Sequence, residues 1–164
     1  MTSCKLAGLA VALSIAAVAA VPAGAAGHHR SHYSPAPTLT EAARHYLAAV
    51  TPVDGASAAL DTRVKVDGPT VTGPELAHQA VPLLDALSRC DRALKSYDWP
   101  KPARADIRRL ITAVSVLRGL LEELPGTTNH DIPAWGARFV TDAEAIPTAA
   151  DPVRHDLGLP PALG

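Results

Sequence analysis

Bulky anchors are scarce in this chain. Three tyrosines, two tryptophans and one phenylalanine make up 4% of its 164 residues, although apolar residues reach 48%. Much of that apolar content is alanine, and small side chains bury little area each while letting helices approach closely. A slim helical core follows. An excess of either charge is also missing: 15 Lys and Arg face 16 Asp and Glu, for a formal net charge of −1. That balance argues against a nucleic-acid partner, which calls for a basic patch. Only two cysteines occur, and no pair has zinc-ligand spacing. There is no nucleophile elbow, no glycine loop that could cradle a phosphate, and no Ser/His/Asp grouping in a catalytic context. These absences point away from an enzyme and from a bound cofactor. No segment alternates with the period of a strand.

One long apolar run is present, at the start. Lys5 precedes Leu6 to Val21, which is apolar or small throughout except for Ser14. Pro22-Ala23-Gly24-Ala25-Ala26-Gly27 follows, and Ala23-Gly24-Ala25 has the small-x-small form of a cleavage site. Residues 1–26 are thus expected to be a signal peptide, cut after Ala25 or Ala26. An uncleaved anchor is the alternative, since about 20 apolar residues suffice to span a bilayer. The lack of twin arginines favours the general secretory route, and Cys4 precedes the run, where no lipoprotein cysteine would stand. Cleavage removes one positive charge, Lys5, and no acid, so the mature chain carries about one negative charge more than the precursor. It leaves Cys90 as the sole cysteine, which rules out an internal disulfide. The expected location is secreted or extracytoplasmic, in the cell envelope, with no membrane attachment after cleavage.

Residues 27–37 form a polar, histidine-rich tail, Gly27-His28-His29-Arg30-Ser31-His32-Tyr33, without periodicity, and are expected to be disordered. Residues 38–158 carry four apolar stripes stepping by four and three, the spacing of one buried helical face. The first is Ala43, Tyr46, Val50, Val53, Ser57, Leu60 and Val64. The second is Leu76, Ala80, Leu83, Leu87, Cys90, Leu94 and Tyr97. The third is Ala103, Ile107, Leu110, Val114, Leu117, Leu121 and Leu124, and the fourth Trp135, Phe139, Ala143, Ile146, Ala150, Val153 and Leu157. Thr38-Leu39-Thr40-Glu41 and Thr72-Gly73-Pro74-Glu75 fit capping boxes. Asp131 reads as the N-cap of the fourth helix, Pro102 as a first-turn proline, and Gly158 as a stop. Pro52 predicts a kink in the first helix and Pro147 a split in the fourth, because an interior proline removes a hydrogen bond and clashes one turn upstream. Residues 159–164 read as a tail leading away. Four such helices with short loops predict an all-α, antiparallel up-down four-helix bundle, with a homodimer or a domain swap as alternatives.

Three groups of side chains could carry chemistry. Cleavage after Ala25 places His28 third behind a free amine, and cleavage after Ala26 places His29 there. Amine, two backbone amides and imidazole can then hold Cu(II) or Ni(II) in a square plane. Glu75-Leu76-Ala77-His78 is an E-x-x-H, but a di-iron bundle needs two such motifs and further glutamates, and there is one. The same end of the bundle would gather Glu75, His78, Glu122, Glu123, His130 and Asp131, of which three or four must converge to hold zinc. At the other end, Lys101, Arg104 and Arg108 stand where the helix dipole is already positive. They imply either a held anion or pairing with Glu41, Asp98 or Asp156.

Three segments carry a resemblance: His45-Tyr46-Leu47-Ala48-Ala49-Val50-Thr51-Pro52, Asp98-Trp99-Pro100, and Arg154-His155-Asp156-Leu157-Gly158-Leu159-Pro160-Pro161. In these the chain resembles small alanine-rich exported helical proteins of high-GC Gram-positive bacteria, a group with no assigned activity. The resemblance implies fold and export and transfers no site. The function expected is a non-enzymatic interaction module of the envelope or extracellular space, with a protein or envelope component as partner. The alternatives are a small-ligand carrier with a cavity between helices, and a metal binder.

Overall fold

A computed structural model describes residues 38–67 and 71–161. The expected signal peptide, the histidine-rich tail with His28 and His29, and residues 162–164 lie outside these. Four helices follow in order: α1 (Leu39–Asp67), α2 (Gly73–Ser96), α3 (Arg104–Glu122) and α4 (Ile132–Asp156), with a 3-10 turn at Leu124–Gly126 between the last two. Among the described residues there is no strand. The protein is an all-α four-helix bundle.

Consecutive helices pack on one another, α1 on α2, α2 on α3 and α3 on α4. Their directions alternate. His45, early in α1, reaches the carbonyl of Ala93, late in α2. Trp135, early in α4, donates its indole N–H to the carbonyl of Leu120, late in α3, at 2.9 Å. The four stripes make the core. Every member is buried except Val64 and Tyr97, which are half-buried near the helix ends. The buried face is wider than each stripe, taking in Ala42, Ala49, Ala86, Leu120 and Ile132. A helix flanked on two sides buries an apolar arc of 100° or more rather than a single line.

Local chemistry sets the helix ends. Thr72 completes a capping box: its hydroxyl accepts the Glu75 amide, and the Glu75 carboxylate accepts the Thr72 amide at 2.9 Å. Thr38 supplies the first half of the same device, accepting the Glu41 amide at 3.2 Å. Gly158, at φ 68°, closes α4 in a Schellman motif. Its amide donates to His155, and the Leu159 amide to Arg154 at 2.8 Å.

Four expectations change. α4 runs unbroken through both Pro147 and Pro152, where a split was expected, whereas α1 continues through Pro52, where no break was expected. Buried Ala143, Ile146, Ala150 and Val153 lie on both sides of Pro147 and hold the two halves in one seam. Pro102 lies one residue before the N-cap, Ala103, rather than in the first turn of α3. Asp131 stands at the N-cap of α4 without capping by its side chain, because its carboxylate accepts the Thr128 hydroxyl instead. Nor does the chain lead away after Gly158. Pro160 accepts the Arg154 Nε–H at 2.7 Å, and Leu159 packs against the core.

Candidate functional site

The face of the α2–α3 hairpin turned from the core carries a second pair of stripes. On α2 it runs Ala77, Val81, Leu84, Ser88, Asp91 and Lys95. On α3 it runs Arg104, Arg108, Ile111, Ser115, Arg118 and Glu122. Both step 4, 3, 4, 3, 4, so each follows one line along its helix. The two lines border a furrow. Polar contacts tie its walls together in the middle: Asp91 accepts Lys95 at 2.8 Å, the Ser115 hydroxyl at 3.3 Å and Arg118 at 3.4 Å. Arg118 also faces Glu122 at 3.4 Å. Asp91 is buried, with 6% of its side chain exposed, and these three partners surround it.

Toward the start of α2 the furrow opens into a groove of about 340 Å³. Its walls are Ala77, Ala80, Val81 and Leu84 on one side and Leu121 and Pro125 on the other, with His78 and Glu122 at the rim. Val81 is 51% exposed, which is high for a large apolar side chain in so small a core. Near this end lies a tight crossing: α2 begins at Gly73, where a Cβ would stand 2.1 Å from the Thr127 carbonyl oxygen. Only glycine lets the start of α2 sit against the turn that ends α3.

Toward Trp99 the furrow becomes cationic. Arg104 donates to the Trp99 carbonyl at 2.7 Å and pairs with Asp98 at 2.8 Å. Asp106 pairs with Arg109. Arg92, Lys101 and Arg108 are exposed and form no ion pair among the described residues. The pairing expected between the basic residues and Asp98 is therefore present for Arg104 alone. Asp156 faces His155 at 3.5 Å rather than Lys101 or Arg108. The turn itself is anchored by aromatic rings. Trp99 is buried and donates its indole N–H to Leu94 at 2.7 Å. Tyr97 stacks on His45 with ring centres 4.1 Å apart, and Trp99 meets both rings edge-on.

The acidic end does not converge. Glu75 is held in its capping box, and the hydrogen bonds from Thr72 keep its carboxyl below the usual range. Glu123 pairs with Arg138 at 2.7 Å, and His130 is exposed. Of the six residues considered there, His78 and Glu122 share the groove rim. Among the described residues no three His, Cys, Asp or Glu side chains gather to hold a metal ion.

A buried polar cluster lies under α1, α2 and α4. The Arg154 guanidinium lies against the Tyr46 hydroxyl, near Cys90 and Asp54. Arg154 is 1% and Tyr46 0% exposed. Burial pushes the Tyr46 hydroxyl up, against the pull of Arg154. Burial pushes the Cys90 thiol up to about 12, helped by the carboxylates of Asp91 and Asp54. Cys90 is the small buried hydrophobe that its place on the stripe predicts. Asp91 and Arg154 were missed as structural residues. Each sits beside a stripe member, Cys90 or Val153, and a charge next to a seam is the signal that marks them. Among the described residues no helix is long and apolar enough to cross a membrane. Compared with known proteins, this chain has no significant match to any protein-family model, curated protein or solved structure.

Proposed function

We propose that this chain is an exported, non-enzymatic binding module of the cell envelope or extracellular space, and that the α2–α3 furrow is its working face. One observation carries the reading. Along a single hairpin face, the buried carboxylate of Asp91 is fully engaged by Lys95, Ser115 and Arg118, while the adjoining apolar groove stands open with Val81 half exposed. Apolar surface left uncovered beside a satisfied polar network is what a binding face offers. Export is supported by Leu6–Val21 and the small-residue site after it.

The test joins location to the furrow. The full chain, tagged at its C-terminus, is expected outside the cytoplasm with a mature start at Ala26 or Gly27. Molecules that co-purify with it, identified by mass spectrometry, should be lost from Val81→Asp and kept by Val116→Asp. Val116 is the control because it is 49% exposed on α3 but does not line the groove. A cytoplasmic product, or equal losses from both variants, would refute the reading.

A further inference from the structure

We infer that the α2–α3 face pairs with the same face of a second copy of this chain, antiparallel, about a two-fold axis level with Ser88 and Arg89. This rests on the furrow being the working face and names its partner.

Charge is segregated along the face. Residues 73–86, the first half of α2, hold Glu75 and Asp85 and no Lys or Arg. The end of α3 beside them holds Glu122 and Glu123. Toward Trp99 the sign reverses. There Arg89, Arg92, Lys101 and Arg108 are exposed and form no ion pair among the described residues, while Asp91, Asp98 and Asp106 are taken by Lys95, Arg104 and Arg109. On α2 this order follows the helix dipole, with Glu75 in the first turn and Lys95 in the last. On α3 it runs against the dipole: Arg104 and Arg108 stand near the positive end, and the last turn holds Glu122 and no basic residue. The dipole therefore does not account for the segregation on α3. A surface of reversed order laid across it does.

The pattern complements itself. A two-fold axis lying in the interface, perpendicular to the helices, turns the face end for end and sets each half on its opposite. Val81, Asp85, Ser88, Arg92 and Lys95 step 4, 3, 4, 3 along the edge of the furrow. Asp85 and Arg92 are exposed and stand on either side of Ser88, and Asp85 too forms no ion pair among the described residues. In an antiparallel pair centred there, Asp85 comes level with Arg92 of the partner subunit, and the symmetry makes this contact twice. Val81, 51% exposed, comes beside the stem of Lys95 of the partner subunit. A lysine stem covers apolar surface while its head stays in water. Ser88 and Ser115 are small and half-buried, so nothing bulky holds the two faces apart at the centre.

The face is also large enough. With 24 residues, α2 is about 36 Å long, and two helices abreast are about 20 Å wide. The product, about 700 Å², is close to the roughly 800 Å² that each partner buries in a standard-sized interface. Ion pairs at such a surface add little affinity each but fix register and exclude wrong partners. A dimer in the micromolar range follows, the weak end for that area. An acidic polymer would use the cations and leave Val81 and the acidic half uncovered. A second copy uses the whole face.

Sedimentation equilibrium of the mature chain supplies the test. The native chain should associate to a dimer, and raising sodium chloride from about 50 mM to about 500 mM should weaken it about tenfold. Arg92→Glu sets acid against acid and Asp85→Arg sets base against base, so each variant alone should be monomeric. Mixed, the two variants regain both pairs, one of them with its signs exchanged, and should form a heterodimer. Glu144→Arg, exposed on α4, should leave the dimer intact. Circular dichroism confirms that each variant remains folded.

A native chain that stays monomeric, a dimer indifferent to Arg92→Glu, or variants that do not pair when mixed would overturn the inference. So would capture of polyglutamate through Arg92 by a chain that does not dimerise. If the chain is monomeric while co-purifying molecules still depend on Val81, the inference falls and the binding-module reading stands. If the chain is monomeric and nothing co-purifies through Val81, both fall.

Discussion

Asp91 and Arg118 meet across the α2–α3 hairpin at 3.4 Å, the carboxylate buried and the guanidinium two-thirds covered. The pair lies off the apolar seam, yet it closes the furrow at its middle and sets the orientation of Arg118. Removing the carboxylate strands Ser115 and Arg118 in a partly buried place. Asp91→Ala is expected to cost about 1–3 kcal/mol, the penalty for leaving buried polar groups without a partner. Arg118→Ala should cost less, since Lys95 and Ser115 still serve Asp91. Urea unfolding of both single variants and the double variant gives the coupling, expected between about 0.5 and 3 kcal/mol for residues in one network. Additive losses would show that the two side chains do not act as a pair.

Gly73 and Gly119 make opposite predictions. A Cβ at Gly73 would meet the Thr127 carbonyl oxygen at 2.1 Å. Both sides of that contact are backbone, so Gly73→Ala must push the start of α2 off the turn after α3. The expected loss is about 1–3 kcal/mol, as for other overpacked sites. Gly119 lies inside α3 with nothing within 4 Å of its added Cβ. Gly119→Ala should therefore stabilise by about 0.4–1 kcal/mol through the lower entropy of the unfolded chain. Thermal unfolding of the two variants beside the native chain decides both.

How far these features could be read in the sequence depends on range. The four stripes are periodic and local, so Leu83, Leu110 and Ile146 declared themselves, and all are buried. Thr72 and Glu75 form their box within one turn, and it too was legible. Gly73 fits a generic cap in sequence. Its real constraint is Thr127, more than fifty residues away, and nothing nearby signals it. The furrow was half legible. Its second stripes are regular, but Val81, Asp91 and Arg118 are mixed in character, and a mixed line reads as solvent-facing until two helices are set side by side. The acidic end was misleading for a related reason. Glu75, Glu123 and Asp131 do approach the same end, but each is taken by a neighbour, Thr72, Arg138 or Thr128.

Pro147 tests how strongly the seam overrides local preference. It sits inside α4, half-buried, between Ala143 and Ala150, which are both fully buried. A proline in a helix interior costs about 3 kcal/mol relative to alanine, through a lost hydrogen bond and a clash one turn upstream. The helix stays continuous, so packing offsets that cost. Pro147→Ala restores the missing N–H to a carbonyl of the preceding turn. It should raise stability by about 1–3 kcal/mol in urea unfolding and leave the far-ultraviolet spectrum unchanged. A neutral or harmful result would mean that the helix at Pro147 has already relaxed around its proline.

Cys90 predicts an alkaline limit to stability. Its thiol is pushed from 9.0 up to about 12 by burial among Leu87, Leu94 and the carboxylates of Asp91 and Asp54. In the unfolded chain the same thiol ionises near its ordinary value. Below pH 9 both states hold the proton and the contribution of Cys90 to stability is fully present. As pH rises from 9 towards 12, the unfolded state loses the proton first and is favoured, so that stability is lost by about 1.4 kcal/mol per pH unit well inside this window. Burial of the Tyr46 hydroxyl acts in the same direction at higher pH. The midpoint of urea unfolding should hardly change between pH 7 and 8 and should fall between pH 9 and 10.5. Cys90→Ala should lower stability at pH 7, since it leaves a gap beside Tyr46, but should flatten the alkaline slope. At neutral pH a thiol reagent should label native Cys90 only at the rate at which the bundle opens. Rapid labelling of the folded protein, or an alkaline slope unchanged in Cys90→Ala, would place the thiol outside the core.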